Sequence, residues 1–254
     1  MPQSAASKWG FRKGEVGTHT SRTIMLSELA QVLDAVPAEG SQEDYAKAVI
    51  EENCLGKRTT ANRRISLQHL RELYALDRRV LLFYVLRKLW LRDSRDHALL
   101  ALLLALARDP LLRATATPVL MTPVEHEFSR QPMKNALREV VGDRLNSDTL
   151  DKTVRNAASS WTQSGHLQGR GRKKRRQIEA TPVATAYALL LGFATGCRGI
   201  SLFDTPWCAI LDTGPGETVE LARAAKQLGL LDLKQAGSIL DISFPALLAH
   251  SKDN

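Results

Sequence analysis

A mainly α-helical protein with small β-hairpins is what this sequence predicts, and three observations predict it. Leu and Ala dominate an apolar set that makes up 44% of the chain, while aromatic residues are only 6%; such residues lose little rotamer freedom in a helix. Apolar residues recur at helical spacing over stretches punctuated by Gly and Pro. The third observation is local. A glycine-spaced basic run, Gly169-Arg170-Gly171-Arg172-Lys173-Lys174-Arg175-Arg176, is flanked by strand-like segments, as the turn of a hairpin is.

Residues 1–20, rich in Ser, Gly and Lys, read as a flexible tail. Ser21 opens a helix with Ile24, Met25, Leu29, Val32, Leu33 and Val36 on one face, broken at Pro37 to Gly40. Ser41 caps the next, with Asp44 completing a capping-box pair, and Gly56 ends it. Thr59 or Thr60 starts a third helix that turns Ile65, Leu67, Leu70, Leu73 and Tyr74 inward. Helices over 79–90 and 93–108 follow; Asp109-Pro110 marks the next break, and Pro118 and Pro123 close the region. Residues 21–122 are thus expected as a helical bundle.

A second module is expected over 123–181. A helix runs from Pro132 to Arg144. The next, capped by Ser147 or Asp148, buries Leu150, Val154, Ala157, Ala158 and Trp161 and stops at Gly165. His166-Leu167-Gln168, the basic turn and Arg176 to Ala180 then form the hairpin. Two helices followed by a hairpin with a cationic turn is the order of a winged helix-turn-helix, whose second helix enters the major groove. The remainder, 182–254, is expected as a C-terminal extension: a buried helix from Pro182 to Gly196, a short helix around Trp207, a helix over 217–228 stopped by Gly229, and a second hairpin about Gln235-Ala236-Gly237.

The net charge is +8, and the basic run alone holds six positive charges. Charge concentrated in this way points to a polyanionic partner. Arg170, Arg172, Lys173, Lys174, Arg175 and Arg176 are assigned to phosphates; a solvated, open loop is the alternative for any like-charge run. If all six engage, they contribute a slope of about −5 to the log–log salt dependence. On the preceding helix, the period turns Lys152, Arg155, Asn156, Ser159 and Gln163 outward. Those are cations for phosphates, and amides and a hydroxyl for base edges. Any surface helix shows a polar face, so the adjoining basic turn is what gives this set its meaning.

A second candidate nucleic-acid contact is Lys57, Arg58, Arg63 and Arg64, on either side of a helix start where free backbone N–H groups also accept phosphate. Glu51 and Glu52 compete for those cations. Arg78, Arg79, Arg87, Lys88, Arg92 and Arg95 interleave with Asp77, Asp93 and Asp96 and read as local ion pairs. Trp9 and Phe11, beside Lys8, Arg12 and Lys13, form a basic-aromatic stretch within the tail.

The search for chemistry yields little. The chain has no P-loop, no dinucleotide glycine fingerprint and no Gly-x-Ser-x-Gly elbow. Glu125-His126-Glu127 are adjacent and point to different faces, so they converge poorly on one metal. Gly192, Gly196 and Gly199 near Arg198 fit a phosphate cradle and fit packing glycines in a buried helix equally well. No catalytic residue, metal site or cofactor is expected. Cys54, Cys197 and Cys208 are odd in number and lack metal-like spacing, and are expected as buried free thiols in a reducing, cytoplasmic compartment. Met1 to Gly17 lacks the apolar stretch of a signal peptide. The apolar runs over 98–107 and 182–197 fall short of the roughly 20 residues a bilayer demands, so a soluble protein with no membrane partner is expected.

Three segments resemble the BrxA family of bacterial BREX phage-defence systems. Ile50-Glu51-Glu52-Asn53-Cys54-Leu55-Gly56-Lys57-Arg58-Thr59 is similar to that family's Glu-Asn, basic, then Ser/Thr-rich helix junction. Leu145 to Arg155 is similar to its Ser-x-Thr-x-x-Lys helix, and Leu228 to Leu233 with Gln235-Ala236-Gly237 to its closing segment. The resemblance spans about Ser21 to Phe244. It implies a NusB-like helical bundle joined to a winged helix, in a cytoplasmic, non-enzymatic component of a multi-gene defence system that binds double-stranded DNA beside other BREX proteins. The long Arg/Lys turn and the N-terminal tail depart from the family pattern. An RNA-binding, antitermination-like regulator and a protein-interaction scaffold are the alternatives.

Overall fold

The computed structural model describes residues 9–237 and 239–249, and helices dominate it, joined by two small antiparallel hairpins. Lys8, counted above with the basic-aromatic stretch, lies outside the described residues.

The first helix, α1 (Leu26–Ala35), begins after Met25, whose φ of 51° turns the chain into it. Ile24 and Met25 are therefore buried on the approach rather than within the helix as expected. The Leu33 and Val36 carbonyls at its end accept from Arg87 Nη2 at 2.6 and 2.7 Å. Arg87, expected as a surface ion pair, is a buried cap on helix carbonyls that have no partner of their own. Helix α2 (Gln42–Ile50) carries the Ser41/Asp44 capping box that its sequence requires. Helix α3 (Thr60–Tyr74) is capped by Thr59 and buries Leu67, Leu70, Leu73 and Tyr74. Ile65 was expected beside them and is 42% exposed, because it stands roughly 160° round the helix from Leu67.

Helix α4 (Leu81–Trp90), a 3₁₀ turn (Ser94–Asp96) and α5 (His97–Arg108) continue the bundle. Asp109 breaks the helical run where its sequence predicts. Its Oδ1 accepts from Leu111 N and Leu112 N at 2.9 and 3.1 Å, so it caps α6 (Pro110–Ala114), which leads into α7 (Ala116–Leu120). Helices α8 (Arg130–Val141) and α9 (Ser147–Gln163) follow. The cap of α9 is Asn146, whose side chain accepts from Thr149 N at 2.8 Å, and not Ser147 or Asp148.

Strands β1 (Leu167–Gln168) and β2 (Lys174–Arg175) pair antiparallel, with Leu167 opposite Arg175 and Gln168 opposite Lys174. The returning strand thus lies inside the basic run, not after it at Arg176 to Ala180 as expected. A further bridge joins Lys174 to Glu127, with Phe128 N donating to Lys173 O at 2.7 Å and Arg175 N to His126 O at 2.9 Å. The segment ahead of α8 therefore flanks β2 on its other side.

Helix α10 (Pro182–Ala194) is buried along nearly its whole length and packs on α4 and α5. Residues from 182 onward are accordingly part of the bundle's own core, which runs continuously from Ile24 to Leu247, rather than an appended unit. The short α11 (Pro206–Ala209), α12 (Pro215–Gln227), the hairpin β3 (Asp232–Ala236) with β4 (Ile239–Ser243), and α13 (Pro245–Leu248) complete the chain.

The flexible tail expected over 1–20 is replaced, over residues 9–20, by packed structure. Trp9 meets Phe193 edge-on at 6.5 Å and Phe11 lies 5.7 Å from Trp207, so neither ring is free to stack on a base. Among the described residues, no helix is long and apolar enough to cross a membrane.

Candidate nucleic-acid interface

The basic run divides by the geometry of its hairpin. Alternation along a strand sends successive side chains to opposite faces; Lys174 is exposed and Arg175 is 1% exposed. Arg175 Nη2 bonds Asp212 Oδ1 at 2.7 Å and its Nε donates to Val119 O at 3.2 Å. Arg175, assigned above to phosphate, is instead a buried strut that fastens the hairpin to the loop after α11. Arg176 is also engaged, donating to Gln168 Oε1 at 2.6 Å and pairing with Glu125. Lys173 Nζ donates to Thr162 Oγ1 at 2.7 Å and Gly169 O at 2.9 Å; partial burial, then the charge of Arg130, lowers its pKa.

Three cations of the run remain at the surface. Arg170 and Lys174 have no side-chain partner among the described residues, and Arg172, 88% exposed at its side chain, faces Glu127 at 3.8 Å. An exposed pair at that distance contributes little. Glu125 thus faces Arg176 and Glu127 faces Arg172, and His126 Nδ1 lies 3.2 Å from Val124 O.

Helix α9 buries Leu150, Val154, Ala157, Ala158 and Trp161, as the period requires, and leaves Lys152 and Arg155 exposed. Its amides behave otherwise. Asn156 Nδ2 donates to His19 O at 2.9 Å, and Gln163 Oε1 accepts from Leu26 N at 3.2 Å. Both were expected at base edges, and both hold the N-terminal segment to α9; Ser159 is half-buried. Lys134 Nζ braces α8 to α9 through Asp151 Oδ1 at 2.6 Å. Arg130, at the first turn of α8, is exposed and lines a hollow of about 400 Å³ with Arg172 and Lys173. The sequence reading missed it, since some 40 positions separate it from the run and the pairing of residues 125–128 with β2 brings them together.

At the base of the hairpin His166 is fully buried. Its Nε2 donates to Ile210 O at 2.9 Å and its Nδ1 lies 2.9 Å from Ser164 Oγ. Burial, reinforced by the charge of Arg175 and opposed by the bond to Ile210, pushes its pKa down to about 4.

The second basic cluster is divided likewise. Lys57 pairs with Glu28 at 3.0 Å, and Arg63 donates to Ile50 O at 3.0 Å and Lys57 O at 3.3 Å, capping α2. Glu52 pairs with Lys47 at 3.6 Å instead of with this cluster. Arg58 and Arg64 are exposed and without a side-chain partner among the described residues. Of the bundle's other cations, Arg79 and Arg95 form the expected local pairs, with Asp77 and Asp93.

Arg198 lies over the Phe193 ring at 3.7 Å, and a Cβ on Gly192 would meet Thr205 Cγ2 at 3.0 Å, so packing accounts for both. The cysteines are free thiols; Cys208 is buried, whereas Cys54 and Cys197 are half-buried. Among the described residues no group of three His, Cys, Asp or Glu side chains is placed to hold a metal ion. Ser160, His19 and Asp109 form a hydrogen-bonded chain, but all three are buried, and Ser160 Oγ is already bonded to Ile24 N and Asn156 O at 2.9 and 3.0 Å. That arrangement offers no approach to a substrate. No protein-family model matches the chain, and no curated protein matches it either.

Proposed function

We propose that residues 123–176 act as a winged helix-turn-helix that binds duplex DNA with little sequence preference. Helix α9 faces the major groove and the β1–β2 turn follows the phosphate backbone. The observation that carries this reading is the surplus of unpaired surface cation on one module: Arg170, Lys174, Lys152 and Arg155, with Arg172 and Arg130 beside them. The order of α8, α9 and hairpin supports it, as does the bridge from β2 to the segment ahead of α8. Low sequence preference follows from the engagement of Asn156 and Gln163 within the fold, which leaves α9 few groups for base edges. In the same reading, a NusB-like bundle is the platform, and the segments resembling the BrxA family set a non-enzymatic protein within a cytoplasmic BREX-type defence assembly.

Fluorescence anisotropy on a random-sequence duplex, titrated across salt, tests this reading. Changing Arg170, Arg172 and Lys174 together to Ala reduces the log–log slope by roughly 3, at about 0.9 for each phosphate contact. An unchanged affinity and slope in that variant would refute the interface. A matched RNA duplex binds more weakly, because the deep A-form major groove excludes a helix; RNA bound more tightly than DNA would overturn the reading.

A further inference from the structure

Between α3, the end of α5 and the N-terminal segment lies an open cavity of about 470 Å³ lined by Arg12, Arg64, Arg71 and Arg108. Its one carboxylate, Glu72, is engaged elsewhere: it accepts from Thr18 Oγ1 at 2.8 Å and Gln68 Nε2 at 3.1 Å and lies 3.4 Å from His69 Nδ1. Among the described residues none of the four guanidiniums forms an ion pair. Elsewhere in the bundle Arg79 and Arg95 show the contrast, for each is chelated by its own aspartate, Asp77 and Asp93, at 2.9 and 2.6 Å. Four positive charges less that of Glu72 leave an excess of three in one cavity.

Three of the cations are held in place by neutral groups, and Arg64 is exposed at the rim. Arg108 donates to Glu72 O at 3.1 Å, Gly10 O at 2.6 Å and Arg71 O at 3.2 Å. These carbonyls fix the guanidinium without cancelling its charge, and burial followed by the charge of Arg12 lowers its pKa to about 10. Arg12 donates to the same Glu72 carbonyl at 3.3 Å. Arg71 donates to Gln42 O at 3.1 Å, and its Nε is buried with no protein partner. Ile50 and Leu67 give the cavity an apolar floor. Clustered guanidiniums with donors to spare match the oxygens of a phosphate, and small-ligand sites span roughly 300–1,000 Å³.

We infer that this cavity binds a phosphomonoester, its phosphate among Arg12, Arg64 and Arg71 and its organic part on Ile50 and Leu67. The dianion offsets most of the local excess, and the site is separate from the hairpin assigned to DNA. Isothermal titration calorimetry of the full chain at low ionic strength tests it, with adenosine 5′-monophosphate, inorganic phosphate and adenosine as probes. The monophosphate binds and adenosine does not. Arg64→Gln with Arg71→Gln weakens binding by about tenfold or more, the scale of one lost charge-assisted hydrogen bond; Arg64→Gln alone, at an exposed side chain, gives a smaller loss with folding intact. Inorganic phosphate bound as tightly as the nucleotide identifies free phosphate as the source and upholds the phosphate site, whereas tighter nucleotide binding upholds the organic part too. The hairpin variant lacking Arg170, Arg172 and Lys174 binds the probe unchanged, so a failure of the DNA reading leaves this one standing. No heat from either phosphate probe at millimolar concentration, or the same affinity in both arginine variants, overturns it.

Discussion

His19 and Asp109, 90 positions apart, meet at 2.7 Å between Nδ1 and Oδ2 in a fully buried contact. The second ring nitrogen of His19 lies 2.8 Å from Ser160 Oγ on α9. One imidazole thus ties the N-terminal segment to the start of α6 and to the helix proposed to face DNA. Burial pushes the Asp109 carboxyl pKa up, but attraction to His19 and bonds from His19 and Leu112 outweigh it and hold the pKa below the usual range. Removing one partner of such a pair strands the other in the core.

His19→Ala is therefore expected to destabilise the fold by about 3 to 5 kcal/mol, as read by urea denaturation. Asp109→Asn keeps an oxygen to cap Leu111 and Leu112 but turns an NH2 group towards His19 N and Nδ1, which both meet the second carboxylate oxygen, so it too is expected to destabilise the fold. A His19→Ala protein as stable as the parent would show that the contact contributes nothing to the fold.

Acid loosens the hairpin's base through His166. Its folded pKa of about 4 lies below the ordinary histidine value of about 6.5, so the unfolded chain binds the proton first as pH falls. The stability this neutral ring contributes is fully present above about pH 6.5 and is lost on acidification towards pH 4, roughly 3 kcal/mol in all. Comparing His166→Gln with the parent across that window isolates the effect. Parallel stability curves for the two proteins would contradict it.

Much of the helical scaffold is legible in the sequence because helical period and caps are local. The Ser41/Asp44 box, the stripe from Leu150 to Trp161 and the stop at Gly229 all depend on residues within a few positions of one another. The errors have a common cause. Arg87, Arg175, Asn156 and His19 are polar residues whose partners lie 37 to 141 positions away. Composition makes such residues look solvated, and only tertiary packing shows that they are engaged. The candidate interface was legible as a charge run, but which of its cations reach the surface depends on strand register, and a shift of one residue reverses every side chain.

That register gives adjacent residues opposite roles. Arg175→Ala strands Asp212 and removes a donor from Val119 O, so a stability loss of about 3 kcal/mol is expected. Lys174→Ala, at an exposed site, changes stability by no more than about 0.5 kcal/mol while weakening DNA binding and lowering its salt slope. Thermal melts beside anisotropy separate the two. Equal melts for both variants would mean that the strand does not alternate as described.

The turn between the strands depends on one glycine and not the other. Gly169 has a φ of 116°, and a Cβ there would lie 2.3 Å from Arg172 O, whereas a Cβ on Gly171 meets nothing within 4 Å. L-residues rarely adopt the Gly169 conformation, so Ala at 169 forces the turn to open, at about 1 to 3 kcal/mol. Opening it moves Arg170 and Arg172 relative to Lys174 with no charge removed. Gly169→Ala is thus expected to speed amide exchange at Arg176, whose N–H donates to His166 O between the two arms of the hairpin, and to weaken DNA binding. Gly171→Ala should do neither. If the two variants bind alike while only Gly169→Ala loosens the ladder, the run acts through its charge alone and the shape of the turn is irrelevant to binding; if both differences appear, the hairpin presents its cations in a fixed array.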